Sequence, residues 1–308
     1  KRTRGQIRQI LKLIAGIKFL RSNKVDVIIS YNMTPHGYLA MFLSIMFKIN
    51  WVHCIVAGHR EIWKNGQIIE KFAIYFLRKA SKIVIMRKNT FDYLISKGNK
   101  RKSILIIPNA IDHNDFYPDA IISKIYDIVS LGRIDENKNL QLLVLSVDRI
   151  RHIKADIRVA IGGTGQSMND ISRLIKDLSL DDHINLVGNI SISDRRDFYN
   201  SGRLFVLTSF SEGLPMSLLE AMFCGLACVS TDVGEINGVI QDGENGFLLK
   251  NPVDLENFVM ILIKLLDDQE MYHNISGKAS LIAESHSINS VGKLWSDCLL
   301  SLTSARIN

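Results

Sequence analysis

The segment SFSEGLPMSLLEAMFCGLACVS, residues 209–230, sets Glu212 and Glu220 with seven residues between them, around Gly213, Leu214, Pro215 and an apolar run. A carboxylate can accept from both hydroxyls of a vicinal diol, so two of them near one cavity suit a sugar-bearing ligand. RLFVLTS reads as a strand and MSLLEAMFC as a helix, with Pro215 at or near the first helical position, where a missing N–H costs little. Gly213 lets the chain turn tightly. The unpaired N–H groups of the helix start form an anion site able to hold a phosphate without a local cation. Glu212 then falls in the turn and Glu220 inside the helix. Both can border one cavity at the carboxyl end of the strand, where open α/β sheets bind ligands. Taken alone, the pair is explained equally well by Glu212 favouring the helix dipole and Glu220 facing solvent.

Further residues bear on that choice. LGRIDENKNL places Arg133 and Lys138 in a strand-to-helix loop at the same sheet edge, two cations able to clamp a diphosphate, although isolated pairs of this kind are commonly surface charges. IGGTG, residues 161–165, follows a strand and allows close backbone approach, but it carries no dinucleotide fingerprint. Asn109 in IPNAID can fix the turn into an interdomain hinge. CIVAGHREIW offers His59 and Arg60 just past a strand end, whereas His53 inside that strand reads as a satisfied core histidine. His36 precedes the apolar helix GYLAMFLSIMF, which packs on a sheet or lies at a membrane interface.

The elements that must hold these residues alternate. VDVIIS, WVHCIV, KIVIM and ILIIP are short β-branched runs separated by helical stretches. A second series follows: YDIVSLG, IRVAIGG, HINLVG, RLFVLTS, LACVST and GFLL. Repeated βαβ units imply parallel sheets covered on both faces. The opening IRQILKLIAGIKFL has Ile7, Ile10, Leu11, Ile14 and Ile17 on one helix face. At 308 residues the chain accommodates two doubly wound domains, with the break in IDHNDFYPDAIISKI, where Pro118 and polar residues interrupt the periodicity. A composition 47% hydrophobic excludes a disordered chain.

Cys54, Cys224, Cys228 and Cys298 lack zinc-type spacing and read as buried thiols in a reducing compartment, which favours the cytoplasm. The uncharged stretch from Gly37 to Phe47 is too short to span a bilayer, and no cleavable signal opens the chain. Beginning on Lys1, the chain reads as part of a longer protein. Residues 1–120 hold 21 Lys and Arg against 7 Asp and Glu, a net of +14, while the whole chain carries only +7, so the remainder is acidic. The basic part suits an anionic membrane leaflet or a phosphorylated substrate. Nucleic acid is disfavoured, because the charges are scattered without a binding motif or interleaved aromatics.

In order and spacing, ILIIPNAID, LGRIDENKN, IGGTG, INLVGNI, SFSEGLPMSLLEAMFCGLACVSTDVG and QDGENGFLL resemble the retaining nucleotide-sugar glycosyltransferases of glycosyltransferase family 4. The resemblance runs from about VDVIIS to the end of the chain. It implies an α/β fold of two Rossmann-like doubly wound domains facing a cleft (GT-B), the first incomplete because the family's opening strand and glycine-rich loop are absent. The expected divisions are an acceptor-side domain over 1–117, a nucleotide-sugar domain over 118–278, and a helix over 279–308 returning to the first.

By this resemblance Arg133 and Lys138 contact the donor diphosphate, Glu220 binds the ribose hydroxyls and Glu212 lies near the transferred sugar. Gly163 and Gly165 line the donor pocket, with Gly213, Leu214 and Pro215 in the adjoining turn. Asn189 and Ile190 contact the base, and His59 meets the sugar or acceptor. Glu235 and Gly238 of EING stand where the family carries a glycine and a glutamate in the other order, and Met86 and Arg87 replace a common serine.

The implied reaction is metal-independent, cofactor-free transfer with retention from a nucleotide sugar, a UDP-sugar favoured, to a glycan or lipid-linked acceptor in bacterial surface-polysaccharide synthesis. A glycosidase is disfavoured, since its two carboxylates flank the scissile bond. A nucleotide-sugar epimerase and a non-catalytic nucleotide-sugar-binding protein are the alternatives.

Overall fold

The computed structural model describes residues 2–56, 67–86 and 88–303. The chain divides into two compact units, residues 1–109 with 289–308, and residues 110–288. The resemblance implies divisions after 117 and 278, and packing accounts for the different bounds of these compact units. Ile111 and Phe116 are buried in the second unit's core with Ala279. Ile111 also exchanges backbone bonds with the end of that unit, its N–H donating to His286 O at 2.8 Å and its O accepting from Ile288 N at 3.1 Å.

The first unit is built on four parallel strands, β1 Val27–Tyr31, β2 Asn50–Ile55, β3 Lys82–Ile85 and β4 Ile104–Ile106, in simple sequential order. Its described helices are α1 Arg2–Ser22, α2 Tyr38–Phe47, α3 Gln67–Leu77, α4 Lys88–Ser96 and, from the far end of the chain, Ile288–Thr303. Trp51, Ile55, Ile83 and Ile85 of the strands bury against Ala40, Ile74, Leu77 and Leu94 of the helices. Asn50 ties the C-terminal helix to β2 by donating to Leu302 O at 2.8 Å. Helix α1 is present, but most of its apolar row is open: Ile7, Ile10, Leu11 and Ile14 are each more than half exposed, whereas Ile17 is half-buried.

His53 is a core residue in β2, in register with Ser30 of β1. Ser30 Oγ accepts the Trp51 indole N–H at 2.8 Å and lies 2.9 Å from His53 Nδ1, whereas Nε2 finds no partner among the described residues.

In the second unit six strands are all parallel: β5 Tyr126–Leu131, β6 Val159–Gly162, β7 Ile184–Gly188, β8 Gly202–Leu207, β9 Ala227–Thr231 and β10 Phe247–Leu249. Their spatial order β10-β9-β8-β5-β6-β7 is the doubly wound Rossmann order. Alternate side chains enter opposite cores, as a buried parallel sheet requires. Leu204 and Val206 face one core with α5 Leu140–Ile150, α6 Met168–Asp177 and α9 Leu255–Asp267. Phe205 and Leu207 face the other with α7 Arg195–Asn200 and α8 Met216–Phe223. Helices α10 Gln269–Ser280 and α11 Ala283–His286 complete the unit. All four cysteines are free and buried. Burial raises the Cys224 thiol to about 12, which makes it inert.

Burial lowers the His53 imidazole from 6.5 to about 4. As pH falls, the unfolded chain therefore takes up this proton before the folded one does. Stability is full above about 6.5 and drains between there and about 4, by an amount on the order of 3 kcal/mol. Denaturant melts across that window should show a steeper acid loss for the wild type than for His53→Gln; parallel curves would reject the buried neutral imidazole.

Candidate active site

In the second unit, β5 and β8 are neighbours whose following helices, α5 and α8, pack on opposite faces of the sheet. The carboxyl ends of such a strand pair leave a crevice, the general ligand position of open α/β sheets. The loop after β5 carries Arg133 and Lys138, and the loop after β8 carries Glu212 to Pro215.

The two loops are bonded to one another along their length. Phe210 N donates to Asn137 O at 2.8 Å, Asn137 Nδ2 to Ser211 O at 2.8 Å, and Thr208 Oγ1 to Lys138 O at 2.8 Å. Asp135 caps the short 3-10 turn Glu136–Lys138 by accepting from Lys138 N at 3.3 Å, and Asn139 leaves that turn with a left-handed φ of 47°. Lys138 is thereby aimed at Glu212, with Nζ 2.6 Å from Oε1 and both side chains only 13% exposed. Ser209 Oγ donates to the same oxygen at 2.6 Å. Arg133 is different: its side chain is 81% exposed, with Asp135 Oδ2 3.3 Å from Nη2.

Two glycines make this packing possible. Gly163 has a φ of +128°, and a Cβ there would sit 1.7 Å from Gly132 O. Gly234, at φ +64°, passes so near the Glu212 carbonyl that a Cβ would lie 1.9 Å from its oxygen, and Glu235 N donates to Gly213 O at 3.1 Å. The loop after β9 is thus a wall behind Glu212.

Glu220 sits in α8, buried, and is already bonded. Arg195 Nη1 donates to its Oε1 at 3.1 Å and the Tyr199 hydroxyl to its Oε2 at 2.8 Å. Burial, with the Glu220 carboxylate next in importance, pushes the Tyr199 phenol well above its ordinary value, so it serves only as a donor here. Arg133, Gly163, Asn189 and Ile190 line one pocket of about 230 Å³ together with Leu131, Gly132, Thr164, Arg195 and Ser217.

The sequence-predicted residues therefore separate into groups. Arg133, Gly163, Asn189 and Ile190 share the pocket wall, while Lys138 and Glu212 pair at the adjoining strand ends. Gly165 packs on the Ile134 carbonyl, Leu214 is a core residue, and Pro215 is the extended residue just before the helix. His59 lies outside the described residues. Arg195, Tyr199 and Ser217 were missed. The spacing of four between Arg195 and Tyr199 in SDRRDFYN was the available signal, since it puts both on one helix face.

A larger cavity, about 410 Å³, lies in the first unit among Glu70, Lys71, Ile74, Tyr75, Arg78 and Lys97. Its lining comes mainly from helix α3, away from any strand end, and Glu70 there is engaged by Lys97 at 2.6 Å and by Tyr93 at 2.7 Å. The strand-end pocket is the better candidate because Arg133, Arg195, Gly132 and Gly163 converge on it at the carboxyl ends of the strands. Among the described residues, no group of three or more His, Cys, Asp or Glu could hold a metal ion, and no helix is long and apolar enough to cross a membrane.

A parallel sheet with this crossover and this glycine, arginine and glutamate pattern defines a class. The sequence model of the family described as "Glycosyl transferases group 1" matches residues 116–281, and the chain belongs to that family. It is 29% identical over 300 residues to mannosylfructose-phosphate synthase of Agrobacterium fabrum, which covers 85% of this chain and 65% of that protein. The chain thus spans less than two thirds of that relative's length. It is 24% identical over 294 residues to the Escherichia coli UDP-Gal:alpha-D-GlcNAc-diphosphoundecaprenol alpha-1,3-galactosyltransferase, covering 88% of this chain and 74% of that one. In fold it matches Anabaena Alr3699/HepE, solved in complex with UDP, with a TM-score of 0.79 at 17% identity over 90% of this chain and 79% of the other. The fold is GT-B, with two Rossmann-like parallel sheets.

The two cations of the β5 loop should fail differently. Lys138→Ala strands a mostly buried Glu212 and should lower unfolding free energy by about 1–3 kcal/mol. Arg133→Ala removes an exposed pair and should stay within about 0.5 kcal/mol of wild type. Urea titrations giving equal losses would contradict the geometry.

Proposed function

We propose that the chain is a retaining glycosyltransferase that takes its sugar from a nucleotide-diphosphate sugar, a UDP-sugar favoured. The acceptor is a glycan or lipid-linked glycan of the kind used in bacterial surface-polysaccharide synthesis. The observation that carries this is the convergence, at the β5–β8 crevice, of Arg133, Lys138, Glu212 and the start of α8 beside a pocket able to take a nucleotide. The UDP bound by the HepE structure and the UDP-galactose and diphosphoundecaprenol in the Escherichia coli relative's name support the donor and acceptor classes. Retention follows from the family resemblance.

Charge dictates the mechanism. Cleavage of the bond between sugar and nucleoside diphosphate builds negative charge on the leaving group. Lys138 and the N–H groups at the start of α8 are held donors beside the position it would take, and the exposed Arg133 is free to turn toward it. A divalent ion is redundant when these cations stabilise the leaving group. Lys138 is paired with Glu212, so a phosphate that recruits its ammonium frees Glu212 to accept from the transferred sugar. Gly163 packs its backbone against Gly132 in the wall of that pocket, and Asn189 and Ile190 line it where the base would lie. His59, just past β2, is the first unit's candidate for contact with sugar or acceptor. An epimerase would turn over donor without acceptor, and a binding protein would not turn it over at all.

The same reading places the protein in the cytoplasm, in part at the inner membrane face. Along α1, exposed Ile7, Ile10, Leu11, Ile14 and Phe19 run beside Arg8, Lys12, Lys18 and Arg21, and Phe42, Ile45 and Met46 of α2 are exposed as well. An apolar row flanked by cations is complementary to an anionic leaflet, at about 1 kcal/mol per nearby Lys or Arg.

Two experiments test these statements. Nucleoside diphosphates and nucleotide sugars at millimolar concentration should raise the melting temperature. Arg133→Ala should weaken that binding by about 1.5–3 kcal/mol, and Glu212→Gln should lower turnover more than affinity. The absence of any shift would remove the donor site. Vesicles with anionic lipid should pellet the protein at low salt and release it in molar salt, with nucleotide affinity unchanged; no pelleting at low salt would return the acceptor to a soluble glycan.

A further inference from the structure

Glu220 is the carboxylate that the donor-site reading gives to the ribose, yet it does not form the pocket wall. Its side chain is 6% exposed against 33% for Arg195, and it is Arg195 that lines the pocket, with Ser217. Glu220 stands three residues beyond Ser217 on α8, hence on the same helix face and one turn deeper. Arg195 and Tyr199 stand four apart on α7 and meet the two oxygens of that one carboxylate from the side.

A carboxylate offers roughly four acceptor positions, so one bond to Oε1 and one to Oε2 leave a position on each oxygen. That arrangement suits two vicinal hydroxyls, provided the carboxylate plane is held. The last torsion of a glutamate is otherwise broad and weakly restrained. Arg195 and Tyr199 supply the restraint from opposite oxygens. The Arg195 Nε is buried with no acceptor among the described residues, so Glu220 is the group that holds the guanidinium in place.

We propose that Arg195, with Tyr199 behind it, is a positioning residue of the donor site: it fixes the plane of Glu220 for the ribose diol of the nucleotide and forms the pocket wall in front of that carboxylate. This rests on the donor-site reading above. It assigns to α7 a share in selecting ribonucleotides over deoxyribonucleotides, a discrimination that phosphate-binding residues cannot provide.

The test is calorimetric titration of the chain with UDP and with 2′-deoxy-UDP, or with the GDP or ADP pair if the wild type binds that base better. The wild type should prefer the ribonucleotide by about tenfold, the size expected for one well-placed bond to a charged acceptor. Arg195→Met should reduce the preference to about twofold or less while binding the deoxynucleotide nearly as the wild type does, and Arg195→Lys, which can still donate to Oε1, should recover part of it. Tyr199→Phe keeps the ring in the core and should lose part of the preference too, so it decides the matter if Arg195→Met does not fold. A folded Arg195→Met with wild-type preference, or one that weakens both nucleotides equally, overturns the proposal, as does an unchanged preference in Tyr199→Phe. A wild type that binds no nucleoside diphosphate removes the donor site itself, whereas a wild type that binds and discriminates leaves only the role of Arg195 in question.

Discussion

The crevice between β5 and β8 exists because adjacent parallel strands send their helices to opposite faces of one sheet, and the rest of the candidate site depends on that divergence. With α5 in one core and α8 in the other, the two helices diverge from the strand ends between them. The two loops that emerge there must satisfy their backbone groups on each other, and they do so through Asn137, Thr208 and Phe210. Lys138 and Glu212 are then held face to face by backbone bonds already made, so little further side-chain freedom is lost on pairing.

Each cation near the crevice has a carboxylate partner, and exposure distinguishes what the pairs can do. Arg133 beside Asp135 is in water, where the attraction is weak, so little holds the guanidinium to that carboxylate. Lys138 and Glu212 are mostly withdrawn from solvent, so the pair persists unless another anion of similar strength arrives. Glu220 is the most buried of the three carboxylates at 6%, held by Tyr199 and by Arg195, which at 33% is more open to solvent than Lys138. Exposure thus separates the three cations, with Arg133 at 81%, Arg195 at 33% and Lys138 at 13%.

The first unit solves a different problem. Ser30, Trp51 and His53 form a small polar group inside an apolar sheet, tolerated because Ser30 engages both rings. Outside, basic and apolar residues share the surface of α1 and α2, a distribution that packing within the unit does not explain.

The ten described strands were legible in the sequence because strands of a covered parallel sheet leave short, largely apolar runs rich in β-branched residues, and these do not depend on what lies across the sheet. The positions of Arg133, Lys138, Glu212 and Glu220 at strand ends or in the following helix were legible for the same reason, since turn chemistry is local. Partner choice was not. Whether Glu220 faces water, a ribose or another side chain depends on Arg195 and Tyr199, which lie more than twenty residues away and reach it only through the packing of α7 on α8. Arg133 and Lys138 read alike as cations, and only the burial of one and exposure of the other made them unequal. The exposure of α1 was not legible on the same ground: a 3.6-residue period says that a helix has an apolar side but not what covers it. Local spacing thus determined the elements and which residues reach the sheet edge, while contacts between distant segments, set by three-dimensional packing, decided which charges pair and which remain open to a ligand.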